Sequence, residues 1–121
     1  MTNHTPSRGF LIVDDEPIIR MDLADILKEH GYESWEAANV GEALSILNLS
    51  GDAFSGLITD INMPGTRSGI VLANHAKHVW PHLKIIVVSA GRKPSPGQLP
   101  VDTRFLAKPF AKTLLTEALS A

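Results

Sequence analysis

The chain has 121 residues, 44% hydrophobic and 20% charged, with a formal net charge of −2 and no cysteine. One domain with a sizeable core is the default at that length, and without thiols a disulfide framework or thiolate metal site is excluded. The slight negative balance argues against direct nucleic-acid binding, no apolar run approaches the ~20 residues of a membrane span, and the lack of cysteine fits a reducing cytoplasm.

Taken in order, the chain alternates between short β-like runs and helical runs. Residues 1–8 open a polar stretch without the apolar segment of a secretory signal, and read as a flexible tail before a domain spanning 9–121. Phe10–Val13 is a compact apolar run, a buried strand. Pro17 suits the first turn of a helix, where its missing N–H costs nothing. Ile18, Ile19, Leu23, Ile26 and Leu27 then repeat at helical spacing, and Gly31 is a natural stop. Tyr32–Ala37 forms a second strand. Asn39 with Glu42 resembles a capping box opening a helix that closes around Gly51. "GLITD" (56–60) is a third strand, and the loop "INMPGTRS" leads to a helix near Gly69–Trp80, ended by Pro81. "LKIIVVSA" (83–90) and "TRFLAK" (103–108) are strands, and "FAKTLLTEAL" (110–119) is a closing amphipathic helix.

Continuous apolar strands separated by helices imply a parallel sheet covered on both faces. Five strands at this length fit a flavodoxin-like three-layer α/β sandwich of order 2-1-3-4-5. Between the fourth and fifth strands Gly91, Pro94, Pro96, Gly97 and Pro100 leave room for a loop or one distorted helical turn, so the fourth helix is expected to be short or irregular.

In such a sheet ligands bind beyond the carboxyl ends of the strands, where the strand order reverses. Asp14 and Asp15 end the first strand, Asp60 the third, Ser89 the fourth and Lys108 the fifth. The expected topology gathers three carboxylates, a hydroxyl and an ammonium into one cleft. The carboxylates repel one another. A divalent cation relieves this, and hard oxygen ligands suit Mg²⁺ or Mn²⁺. Mg²⁺ binds through one or two carboxylates plus a phosphate, and a carboxylate can itself take the phosphoryl group as an aspartyl phosphate. Lys108 would supply positive charge and Ser89 a hydrogen bond to the phosphoryl oxygens.

"LIVDDEP" (11–17), "ITDINMPG" (58–65), "VVSAG" (87–91) and "FLAKPF" (105–110), in this order and spacing, resemble the receiver domain of bacterial two-component response regulators. The likeness spans about Phe10 to Leu119. It implies that Asp60 is the phosphoacceptor, Asp15 the direct metal ligand and Asp14 an acidic partner acting largely through water. It further implies that Asn62 offers its backbone carbonyl to the metal and that Lys108 contacts the phosphate. Ser89 then matches the switch hydroxyl and Phe105 the aromatic that turns inward on activation, and the Lys108–Pro109 bond is cis. A sensor histidine kinase or phosphotransfer protein is the implied phosphoryl donor, and the receiver catalyses only its own modification. The chain ends one helix after "KPF", as in the single-domain class, which acts by docking on a partner or by relaying phosphate. An irregular fourth helix departs from the family pattern and puts dimerisation through that helix and the elements after it in doubt. Gly91, two residues after Ser89, would leave the site entrance open to water and speed loss of the phosphoryl group.

Plainer readings stand beside these. Glu16 reads as favourable charge at a helix N-terminus, Arg20 as surface, Phe105 alternatively as core, and Met63, Pro64, Gly65 and Gly69 as shaping the loop after Asp60. His75, His78 and His82 read as a solvated face, Trp80 as packing, and Trp35 as an edge-strand residue with a possible contact role. A phosphorelay intermediate or phosphate sink is the alternative function. An aspartate-nucleophile phosphatase would need an acid where Asn62 stands, and nothing basic or helix-turn-helix-like marks a DNA-binding regulator.

Overall fold

The computed structural model describes residues 9–63, 68–91 and 93–120. The expected tail, residues 1–8, and the loop residues Pro64 and Gly65 lie outside them. The elements are β1 (Gly9–Val13), α1 (Pro17–Glu29), β2 (Glu33–Ala37), α2 (Val40–Ser50), β3 (Phe54–Thr59), α3 (Gly69–Val79), β4 (Lys84–Ser89), β5 (Arg104–Ala107) and α4 (Lys112–Ser120). The sheet order is β2-β1-β3-β4-β5, with every pair parallel. The flavodoxin-like sandwich read from the apolar pattern is the observed fold.

Strand alternation builds two cores from one sheet. Leu11, Val13, Leu57, Ile85 and Val87 face α2 and α3, where Leu47, Leu72 and Ala76 meet them. Phe10, Ile12, Ile58, Ile86 and Val88 face α1 and α4, against Leu23, Leu27 and Leu115. Large apolar side chains buried in this way stabilise the fold by about 1.5–3 kcal/mol each. That double burial is why the strands read as unbroken apolar runs.

Local signals place the ends of the helices. Pro17 is the first residue of α1, and Gly31 follows it at φ 81, in the left-handed region that glycine adopts without cost. Asn39 Oδ1 accepts from the Glu42 amide at 2.8 Å. The return bond goes from the Ala38 amide to Glu42 Oε1 at 2.9 Å, one residue earlier than a standard box would place it. Between β4 and β5 no helix forms among the described residues. Short turns run through Ser95–Gln98 and Pro100–Thr103, Leu99 packs on the α2–α3 core, and Asn74 Nδ2 donates to Gln98 O at 2.7 Å. The prolines remove the amides a helix would need, so α3 and the core hold the crossover instead.

Gly69 does more than shape the loop after Asp60. It is the first residue of α3, its amide donates to Ile61 O at 2.9 Å, and a Cβ there would lie 1.7 Å from Asp60 O. The requirement is close approach of α3 to the end of β3. Gly69→Ala is therefore expected to cost about 3 kcal/mol, the upper end for overpacking, read as a lower urea midpoint. A midpoint unchanged by the substitution would contradict the close approach.

Candidate functional site

Three ladder bonds carry the polar residues just past their strands. The Asp14 amide donates to Ala37 O at 3.1 Å, the Asp60 amide to Val13 O at 2.9 Å and the Lys108 amide to Ser89 O at 2.9 Å. Val13 and Thr59, which end β1 and β3, are buried, so Asp14 and Asp60 emerge at the carboxyl edge with their backbone still held by the sheet. Asp14, Asp60 and Ser89 are buried there, whereas Asp15 is exposed.

Asp14, Asp15, Glu16 and Asp60 each bring one carboxylate oxygen within 4.8 Å of the others. At such a separation two carboxylates repel by about 3 kcal/mol at an effective dielectric near 20. The Lys108 ammonium offsets part of this. Its Nζ lies 2.7 Å from Asp14 Oδ2, 3.2 Å from Asp60 Oδ2 and 3.3 Å from Glu16 Oε2, which engages all three of its donors. Burial pulls the Lys108 ammonium toward neutrality. The hydrogen bond to Asp14 and the charges of Asp60 and Asp14 outweigh burial and hold its pKa above the ordinary value.

The remaining candidates stand around this cluster. The Asn62 amide donates to Asp60 Oδ1 at 3.3 Å, and Ser89 Oγ accepts from the Gly91 amide at 3.3 Å. Gly91 is exposed, and a Cβ there would lie 3.1 Å from Asn62 Nδ2 and 3.8 Å from Ser89 Oγ. Asn62, Ser89 and Gly91 therefore share one side of the cleft. Phe105 is half-buried against the α2–α3 core rather than among the acids. The Lys108–Pro109 peptide is cis.

Several side chains hold places that their sequence context concealed. Glu16 is more than charge at a helix start, because its carboxylate joins the acidic cluster and reaches Lys108. Its position directly after the two aspartates was the available signal. Arg20 is not simply surface: its guanidinium contacts Asp14 O and Glu36. His75, His78 and His82 are all exposed, as a solvated face requires, although two of them also touch the protein. His82 Nε2 is 3.0 Å from Phe54 O, and His75 meets the ring of the buried Trp80 edge-on at 6.1 Å. Trp35 is partly exposed and packs edge-on against Phe54. Among the described residues the acidic cluster is the one group of metal-ligating side chains. Its all-oxygen donors, with charge in excess of one ammonium, fit a hard divalent cation.

The family model of the response regulator receiver domain matches residues 10–120. The transcriptional regulatory protein PdtaR of Mycobacterium tuberculosis is 35% identical over 118 residues, which cover 93% of this chain and 55% of that protein. The chemotaxis protein CheY-3 of Vibrio cholerae is 30% identical over 114 residues, covering 90% of this chain and 86% of CheY-3. Among solved structures, the response regulator TrrA of Thermotoga maritima, in complex with Mg²⁺-BeF, superposes with a TM-score of 0.77 at 33% identity. That match covers 93% of this chain and 96% of TrrA. The chain spans about half the length of PdtaR and a smaller share of some other curated relatives.

The raised Lys108 pKa fixes the sign of a pH effect. A lysine whose folded value exceeds the unfolded one contributes its full stabilisation below pH 10.5 and loses it as the pH climbs through the folded value. Above pH 10.5 the melting temperature of the wild type is expected to fall more steeply than that of Lys108→Met. Parallel profiles would show that the ammonium does not carry this linkage.

Proposed function

The chain belongs to the response regulator receiver domain family, and we propose that it is a phosphorylation-dependent switch of a two-component system. In this reading it takes a phosphoryl group from a sensor histidine kinase or phosphotransfer protein onto Asp60, and phosphorylation changes its affinity for a partner protein. It acts in the cytoplasm and on no separate substrate. Among the described residues no helix is long and apolar enough to cross a membrane.

The observation that carries the proposal is the Lys108 ammonium held between Asp14 and Asp60 inside a cluster of four carboxylates. An Asp60 carboxylate oxygen attacks phosphorus, the bond to the donor histidine breaks, and its electron pair stays on the imidazole nitrogen. Asp60 is ready for this. Its oxygens are engaged by Lys108 at 3.2 Å and by the Asn62 amide at 3.3 Å, both long contacts that a new bond can replace. Lys108 exchanges Asp60 Oδ2 for a phosphoryl oxygen while keeping its shorter bond to Asp14. Ser89 releases the Gly91 amide and donates its hydroxyl to a second phosphoryl oxygen, and Phe105 moves inward in response.

Asp15 and Asp60, with Asp14 acting through water and the Asn62 carbonyl, would hold Mg²⁺ or Mn²⁺, which neutralises charge on the transferring group. The Mg²⁺-BeF complex of TrrA supports this assignment by analogy. A phosphorelay intermediate or phosphate sink is the second reading, and the exposed Gly91 favours the sink, because water entering there shortens the phosphoryl lifetime. There, fast return of phosphate to the kinase replaces phosphate-dependent binding.

Incubation with Mg²⁺ and a small acyl-phosphate donor is expected to add the mass of one phosphoryl group, removable by hydroxylamine and absent when EDTA replaces Mg²⁺. Asp60→Ala should abolish the gain, and modification persisting in that variant would sink the assignment. Gly91→Arg places a long side chain beside Asn62 and Ser89, and should lengthen the phosphoryl lifetime several-fold by excluding water. An unchanged decay, followed by mass spectrometry, would count against an open entrance.

A further inference from the structure

Arg20 lies one turn into α1, and its guanidinium links the residue that follows β1 to β2. Nη1 donates to Asp14 O at 2.7 Å and Nε to Glu36 Oε1 at 2.9 Å. The side chain is 17% exposed, so the bridge is partly shielded from water. The planar fork aims both bonds from two nitrogens held at a fixed spacing, whereas an ammonium offers one nitrogen on a flexible stem.

The bridged carbonyl stands where β1 ends and the acids begin. Asp14 has anchors of its own: Lys108 at Oδ2 and the Glu16 amide at Oδ1, 2.9 Å away. Asp15 has none. Its carboxylate is exposed, and among the described residues no hydrogen bond or ion pair holds it. Its direction follows from the peptide plane joining Asp14 to Asp15. The Asp14 amide on one side is tied to Ala37 O at 3.1 Å, and the Asp14 carbonyl on the other is tied to Arg20.

We propose that Arg20, oriented by Glu36, is a positioning residue that clamps the Asp14–Asp15 peptide plane and thereby sets the affinity of the acidic cluster for a divalent cation. This rests on the reading of that cluster as the Mg²⁺ site. The sign of the effect separates a clamp from a charge. A nearby guanidinium acting only through its charge opposes a bound cation, so deleting it would tighten Mg²⁺ binding. A clamp acts the other way, because its loss lets Asp15 wander.

The test is calorimetric titration of Mg²⁺ into the full chain as wild type, Arg20→Ala and Arg20→Lys, with melting temperatures measured alongside. Arg20→Ala is expected to weaken Mg²⁺ binding about tenfold, the usual scale for losing an outer partner of a metal ligand. Arg20→Lys keeps the charge and loses the fork, so it should fall between the two, and it carries the test if Arg20→Ala does not fold. Tighter binding in Arg20→Ala, or Mg²⁺ affinity unchanged in both variants while the melting temperature drops, overturns the proposal. A wild type that takes up no Mg²⁺ overturns the reading of the cluster as well, whereas equal affinities in all three proteins overturn the role of Arg20 alone.

Discussion

The ammonium of Lys108 stands among carboxylates from two other strands, and the surrounding structure keeps it there. Four acids face one partly buried ammonium. Such an arrangement is costly in isolation, since each pair of acids repels by about 3 kcal/mol. It persists because burial of the strands on both faces of the sheet exceeds that cost many times over. The fold tolerates an unbalanced charge at its edge, and the excess of carboxylates over ammonium fits a hard divalent cation.

Precision at the edge comes from the backbone. Asp14, Asp60 and Lys108 each follow the last residue of a strand, and each keeps one more ladder hydrogen bond after the strand has formally ended. The side chains are thereby aimed by peptide planes belonging to the sheet. α3 then closes against the Asp60 carbonyl, which is why Gly69 has no room for a Cβ. Asp15 is the exception: it is exposed, and among the described residues it is held through its peptide alone. Gly91 opens the opposite side, next to Asn62 and Ser89. The cleft thus joins a rigid floor to a more accessible rim.

Much of this was legible before any coordinates. Unbroken apolar runs such as Ile85–Val88 mark strands buried on both faces, and Pro17 and Gly31 bracket α1 because their backbone preferences are local. Asp14, Asp15, Asp60, Ser89 and Lys108 could be placed together because parallel topology puts all carboxyl ends on one edge. Arg20, Glu16 and His82 could not be placed in this way. Glu36, Lys108 and Phe54 O, partners of Arg20, Glu16 and His82, are far away along the chain and are brought near by packing, and the Arg20 bond to Asp14 O needs the side chain to fold back across the start of α1. A charged residue on a helix carries no mark of whether it ends in water or on a carbonyl.

Apolar patterning and turn chemistry were enough to specify the layered α/β fold, the order of its strands and the edge on which the acids and the lysine meet. Those depend on periodicity, on backbone restrictions and on the handedness of crossovers, all of which are local or topological. Packing was needed to settle that Glu16 joins the cluster, that Arg20 ties the Asp14 carbonyl to β2, and that the crossover between β4 and β5 leans on Asn74 and the core with no helix among its described residues. Each is a matter of side-chain reach across a few ångströms. Residue order does not encode such reach until the backbone has been laid down.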